Sequence, residues 1–187
     1  MELILASASP RRRELIKSFG LQVEVIPSDV DEDIEICDAQ SYVKKLAFIK
    51  AENVYKKIKK LTLGADTIVE IDGEILGKPK TFEAADKMFR KLCGKTHRVL
   101  TGFCLIWNDG VVVDCDITYV KFKPYDSVLV KRYIDSGSPY DKAGGYGIQD
   151  EQLSPLIDSV SGSLNNVIGL PTEKIEIILK EKFGKWI

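Results

Sequence analysis

A short apolar run, Glu2-Leu3-Ile4-Leu5-Ala6, gives way within three residues to Ser9-Pro10-Arg11-Arg12-Arg13, and the amphipathic stretch that follows stops at Gly20. Ser9 suits a helix N-cap, Pro10 the first helical position and Gly20 the stop. A serine hydroxyl can accept from an unpaired amide, proline has no N–H to lose, and glycine tolerates left-handed backbone. The alternating segment from Leu21 to Pro27 reads as a second strand. Strand, capped helix and strand in this order commit the chain to a mixed α/β architecture. They also put three arginines at a strand-to-helix turn, where unpaired amides and the helix dipole already favour an anion.

The later periodicities continue the pattern. SDVDEDIEICDA reads as an exposed acidic loop, and a long helix is expected from about Ser41 to Lys60. LTLGADTIVEIDGEILGKPK reads as strand, hairpin and strand, with Asp72-Gly73 as the two-residue turn. A helix over Phe82–Leu92 precedes strands at about His97–Trp107 and Val111–Phe122, around the turn Asn108-Asp109-Gly110. A helix near Ser127–Ile134 leads into SGSPYDKAGGYGIQD, too glycine-rich to be regular. Strand-like residues up to Gly169 and an amphipathic helix through Ile175, Ile178, Leu179 and Phe183 complete the reading. Nothing repeats and no linker interrupts, so residues 1–187 are expected to form a single domain, folded as two lobes around a cleft.

Composition narrows the function. With 44% apolar and 29% charged residues, the chain has the make-up of a soluble globular protein. A net charge of −1 gives no global basic field, so an anion site must be local. An RNA-binding module fits poorly, since no aromatic-basic platform is present. No apolar run reaches the roughly 18 residues of a bilayer span, and the start lacks the basic and apolar regions of a signal peptide. Cys37, Cys93, Cys104 and Cys115 show no C-x-x-C spacing, which suits reduced thiols in a cytoplasmic protein. His97 is the only histidine and lies in a strand-like segment, so it is read as structural. That weakens both a histidine-based metal site and a Ser-His-Asp triad.

Three charges fall on faces that should be apolar. On a helical wheel Leu15, Ile16 and Phe19 define the buried face of the first helix; Arg12 falls within it, Arg11 at its flank and Arg13 away from it. Arg12 therefore either pairs with a buried carboxylate or meets an anion at the helix start. In the long helix Lys50 lies near the centre of the stripe Val43, Leu46, Ala47, Val54, Ile58 and Leu61, where it must snorkel, pair with an acid or line a polar pocket. Asp66 interrupts the apolar strand beside Gly64 and Ala65, which is costly unless it is paired with Lys50 or Lys78 or binds metal. Lys78 sits on the returning strand or just beyond it, where Pro79 keeps it extended. One acid and three cations on inward positions fit phosphate chemistry.

LILASASPRRRELI, GADTIV, GKP, LCGKTHRVLTG, SGSPYDKAGGYGIQ and NVIGLP, in this order, resemble the sequence blocks of the Maf family of nucleoside triphosphate pyrophosphatases. The resemblance covers nearly the whole chain. It implies an α/β fold with an extended, mixed, twisted β-sheet flanked by helices, similar to the inosine triphosphate pyrophosphatases. It implies cleavage of a nucleoside triphosphate to monophosphate and pyrophosphate with a divalent cation, Mg2+ or Mn2+. By the same resemblance Asp66 matches the catalytic proton acceptor, and Glu32, Lys50 and Lys78 match other active-site positions. Ser7 and Arg12 match the phosphate-facing turn, while Arg12, Thr67 and Gln149 match positions tied to substrate choice.

The chain looks like the branch acting on dTTP and UTP, with modified pyrimidine nucleotides as further candidates. The 7-methyl-GTP branch differs around SPRR, at the residue after the catalytic acid and around YGIQ. An amide at Gln149 offers a donor and an acceptor, which match N3–H and the C4 carbonyl of thymine or uracil. Departures follow it: Leu156-Ile157 stands where relatives often carry an aromatic-valine pair, and Leu164 where they carry Tyr. Hard cations prefer carboxylate oxygens, so Glu32 and Asp66 are the expected metal ligands. The resemblance further implies a role in limiting incorporation of non-standard nucleotides and a link to cell-division arrest. The rival reading is a non-catalytic nucleotide sensor regulating septum formation. Expected partners are the nucleotide and, as an open alternative, a second copy in a homodimer; neither nucleic acid nor membrane is expected.

Overall fold

The computed structural model describes residues 2–35 and 38–184, so Cys37 lies outside the described residues. The strands are β1 (Glu2–Leu5), β2 (Gln22–Val25), β3 (Thr62–Ile71), β4 (Glu74–Leu76), β5 (Thr96–Trp107), β6 (Gly110–Phe122) and β7 (Ile157–Ser161). The helices are α1 (Pro10–Ile16), α2 (Ala39–Ile58), α3 (Phe82–Leu92), α4 (Ser127–Asp135), α5 (Leu164–Ile168) and α6 (Thr172–Phe183). The seven strands form one open mixed sheet in the order β2-β1-β3-β5-β6-β7, with β4 paired to β3. β1 runs parallel to β2 and β3, while β3–β4 and β6–β7 are antiparallel. The expected mixed sheet with helices is the one found.

Two compact units make up the chain. The first comprises Met1–Asp66, Thr101–Asp116 and Gly169–Ile187; the second comprises Thr67–Leu100 and Ile117–Ile168. In the first, Leu3, Leu5, Ile16, Phe19, Leu63 and Phe103 pack with Ile175 and Leu179 of α6. In the second, Val69, Phe89, Val99, Phe122, Tyr133 and Tyr146 belong to a separate core. Each burial removes apolar area from water at roughly 25 cal/mol per Å².

Local chemistry explains most boundaries. Ser9 caps α1 by accepting from the Arg12 amide at 3.4 Å, and Gly20 ends the following 3-10 turn at φ 65°. Asp72 and Gly73 take φ 53° and 80°, the paired left-handed conformation of a tight hairpin turn. Two expectations need correction. The long helix starts at Ala39, because the Asp38 carboxylate accepts from the Gln40 and Ser41 amides at 3.0 Å, and it ends at Ile58 before left-handed Lys59. The segment before Gly169 is not strand throughout: after β7, Gly162 takes φ 125° and the Ser163 hydroxyl accepts from the Asn166 amide at 3.1 Å, opening α5.

Candidate active site

The strand-to-helix turn of the first unit holds Ser7 and Arg12. Ser7, buried just past β1, accepts on Oγ from the Ser9 amide and from Arg12 Nη1, both at 3.2 Å. Arg12 Nε donates to the Gly169 carbonyl at 2.8 Å. Arg11 and Arg12 are half-buried and Arg13 is exposed, as the helical wheel predicts. Burial lowers the Arg12 pKa, against the attraction of Asp66; Arg11 lowers it further, and Glu32 opposes. The guanidinium thus sits in the field of both acids that the resemblance singles out.

Those acids meet at Lys50, and the backbone shows why. A Cβ placed on Gly64 would lie 2.4 Å from the Ala47 carbonyl oxygen and 2.6 Å from the Ala51 amide, so only glycine lets β3 approach α2 this closely. Asp66 lies two residues farther along β3 and therefore on the same face. Lys50 lies on the helical turn that β3 touches. Its Nζ stands 2.7 Å from Asp66 Oδ1 and 2.8 Å from Glu32 Oε1. Lys50 and Asp66 are 7% and 8% exposed, so this is a buried pair with an outer acid, and pairing with an acid decides among the three readings of Lys50. The Glu32 loop is tied to α2 through Asn53, which exchanges two hydrogen bonds with Asp29, each at 3.4 Å.

Ser7, Arg12, Glu32, Lys50 and Asp66 thus share the first unit. Thr67, Lys78 and Gln149 belong to the second. Thr67 is half-buried, directly after Asp66 on β3, and Gln149 is exposed; Lys78, expected at an inward position, is instead exposed, two residues past the end of β4 and next to buried Pro79. Within this unit the Lys78 segment and the glycine-rich loop are joined, for the Gly144 amide donates to the Gly77 carbonyl at 2.9 Å. Of the departures from the family pattern, Leu156 is a core residue at 1% exposure, whereas Leu164 is 53% exposed.

Sequence reasoning passed over Tyr42 and Gly169. Tyr42, on α2, has its pKa raised by burial and then by the negative charge of Asp66, Glu32 and Asp33. Its one sequence signal is its place beside Val43 at the start of the apolar stripe. Gly169, the acceptor for Arg12, lies in the NVIGLP block. His97 is structural, as expected: it is buried, and its Nε2 lies 2.7 Å from the Tyr146 hydroxyl.

The donor set suits a hard divalent cation. Glu32 and Asp66 present carboxylate oxygens within hydrogen-bond reach of one ammonium, a place where positive charge is already accommodated. Among the described residues no three His, Cys, Asp or Glu side chains gather into a metal-ligand group. Mg2+ is commonly held by one or two carboxylates together with substrate phosphates, so two acids suffice for such a site.

Comparison with known proteins places the chain. The family described as Maf-like protein matches residues 2–182. A dTTP/UTP pyrophosphatase of Thermosipho africanus is 43% identical, the match covering 97% of this chain and 94% of that protein. One of Thermococcus onnurineus, with the same name, is 41% identical over 97% and 98%. Among solved structures, the Ham1 protein of Staphylococcus aureus has a TM-score of 0.56 at 17% identity, covering 97% of this chain and all (100%) of that one. The HAM1 protein of Coxiella burnetii has a TM-score of 0.55 at 16% identity, over 97% and 99%. These two share the fold. With the family pattern running nearly end to end and two-fifths identity to its members, the chain belongs to the Maf-like protein family.

Proposed function

We propose that this chain is a nucleoside triphosphate pyrophosphatase that hydrolyses dTTP and UTP between the α- and β-phosphates, releasing pyrophosphate. The observation that carries the reading is Lys50, buried and held between Asp66 and Glu32, the two acids whose charge also reaches Arg12. The names of the relatives support the substrate class.

Phosphoryl transfer is mainly positioning and charge neutralisation. Arg12 holds phosphate oxygens at the start of α1, and Ser7 fixes the guanidinium. Lys50 stabilises charge that develops on the phosphates while keeping Asp66 oriented. Asp66 accepts the proton of the attacking water. Glu32 and Asp66 would hold Mg2+ or Mn2+, which when bound neutralises phosphate charge. Lys78, Thr67 and Gln149 enter on the family resemblance: Lys78 as a further phosphate contact, Thr67 and Gln149 in substrate choice. The base contact assigned to Gln149 uses both functions of its amide. A cytoplasmic setting is supported by the free thiols of Cys93, Cys104 and Cys115.

Pyrophosphate release from a panel of nucleoside triphosphates, with and without divalent cation, tests the proposal. The pyrimidine triphosphates should turn over fastest. Asp66→Asn keeps the shape and removes the base, and should lower kcat by about 10²–10⁴-fold. Wild-type turnover by a folded Asp66→Asn protein would remove Asp66 from this role. Nucleotide binding without pyrophosphate release would favour the sensor.

A further inference from the structure

The glycine-rich loop that carries Gln149 is held by a polar network in which Asp150 gathers the hydroxyls of Tyr133 and Ser138, while Lys142 pairs more closely with Asp141, at 2.8 Å. Asp150 Oδ2 accepts from the Tyr133 hydroxyl and, at 2.7 Å, from the Ser138 hydroxyl; Lys142 Nζ stands 3.7 Å from the same oxygen. The Tyr133 oxygen in turn accepts from the Gly147 amide at 3.0 Å. Lys142 Nζ also donates to the Ser138 carbonyl at 2.6 Å and to the Ser138 Oγ at 3.0 Å. A Cβ on Gly147 would lie 2.7 Å from Asp150 Oδ2 and 2.8 Å from Lys142 Cε, so a side chain there would displace the two ends that close the network.

The other end of the loop is fixed independently. Gly144, at φ 67°, has its amide on the Gly77 carbonyl and no room for a side chain against Val69, whose Cγ2 would be 2.8 Å away. The backbone on both sides of residues 145–149 is therefore clamped, while the Gln149 side chain remains exposed. Tyr133 is 1% exposed, and burial raises its pKa, so the phenol stays protonated and continues to donate. A clamped backbone fixes the place from which the Gln149 side chain reaches out, so the backbone entropy of the loop is spent on folding and only the side-chain torsions remain to be ordered on binding.

We infer that Asp150, acting through Tyr133, Ser138 and Lys142, is a positioning residue for base selection: it sets the pose of Gln149 and through it the preference for pyrimidine over purine triphosphates. The inference rests on the base contact assigned to Gln149 above. A purely structural network would stabilise the loop without touching selectivity, and the two roles separate in substrate ratios.

The test compares Asp150→Asn and Tyr133→Phe with the wild type in steady-state turnover of UTP and ATP, and in equilibrium binding of both nucleotides without metal. Hydrogen exchange of the loop amides is followed in parallel. Expected are faster exchange over residues 144–149 and a UTP-to-ATP ratio of kcat/KM reduced about tenfold, the worth of one hydrogen bond to the base. The loss should fall on KM for UTP, with kcat within about threefold, since the phosphate-facing groups are unchanged. Tyr133→Phe removes one oxygen, so it stands as the folded probe should Asp150→Asn not fold. An unchanged ratio in a folded variant with accelerated exchange overturns the inference, as does an equal loss for both nucleotides. Wild-type protein that binds UTP selectively but releases no pyrophosphate overturns the hydrolase reading alone, and the binding ratio still decides the role of Asp150.

Discussion

Lys50 shows how a single side chain can serve stability and chemistry together. Its ammonium is the common partner of a buried and an exposed carboxylate. Burying a charge pair gains little over an apolar pair, but removing one member leaves the other stranded. Lys50→Met should therefore destabilise the fold by about 3 kcal/mol, seen as a lower urea midpoint, and should abolish pyrophosphate release. Adding Asp66→Asn removes the stranded charge, so the double variant should recover most of the lost stability while staying inactive. Additive losses would show that the two side chains do not share an energetic bond. The lysine's misfit with its apolar stripe is visible in the sequence, because a cation at a core position is rare. Its outer partner Glu32 is reached from the sequence only through the family resemblance, since one acid among several in a loop carries no periodic signal.

At the scale of elements, the site depends on how closely α2 can lie on the sheet. Gly64 and Gly102 both face its backbone: a Cβ on Gly102 would be 2.3 Å from the Val43 carbonyl oxygen. Gly64→Ala should push β3 from α2, costing roughly 1–3 kcal/mol by overpacking and lowering turnover beyond what the stability loss explains. Melting temperature and specific activity measured together check this; a variant that keeps both would mean the close approach is dispensable. Elements with strong local chemistry were legible in the sequence. α1 is written in Ser9, Pro10 and Gly20, and the hairpin in Asp72-Gly73. α5 was not, because five residues are too few for helical periodicity and Val167 and Ile168 suit a strand equally well. The start of α2 was missed because Asp38 and Ser41 are both good caps, and only the hydrogen bonds choose between them. The glycine-rich loop read as irregular, yet it holds two short 3-10 turns, Ser138–Asp141 and Ala143–Gly145; its clamp joins residues 133, 138, 142, 147 and 150, and tertiary pairing of that kind leaves no pattern along the chain.

For the molecule as a whole, acid stability is set first by His97. It is 1% exposed, its ring stands edge-on to Phe122 and Tyr146, and burial lowers its pKa from 6.5 to about 4. The unfolded chain takes up this proton at higher pH than the folded one, so stability is full above about pH 6.5 and falls as pH drops toward 4. The loss approaches about 3 kcal/mol. Below that range Asp86 and Asp114, whose pKa values lie under the usual carboxylate value, add to the decline as they protonate. Urea midpoints across this window should fall for the wild type and flatten for His97→Gln; a level wild-type profile would contradict the assignment. The order of assembly follows from the segments of the first unit. Leu3 and Leu5 share their core with Ile175 and Leu179, and the intervening chain supplies the whole second unit. On the ribosome, then, β1 can pair with β2 and β3 early, but the core it shares with α6 is completed only when residues near 179 emerge, while the second core can close beforehand. The half that holds the buried lysine is the later one to mature, and no single proteolytic cut can release it as one continuous piece.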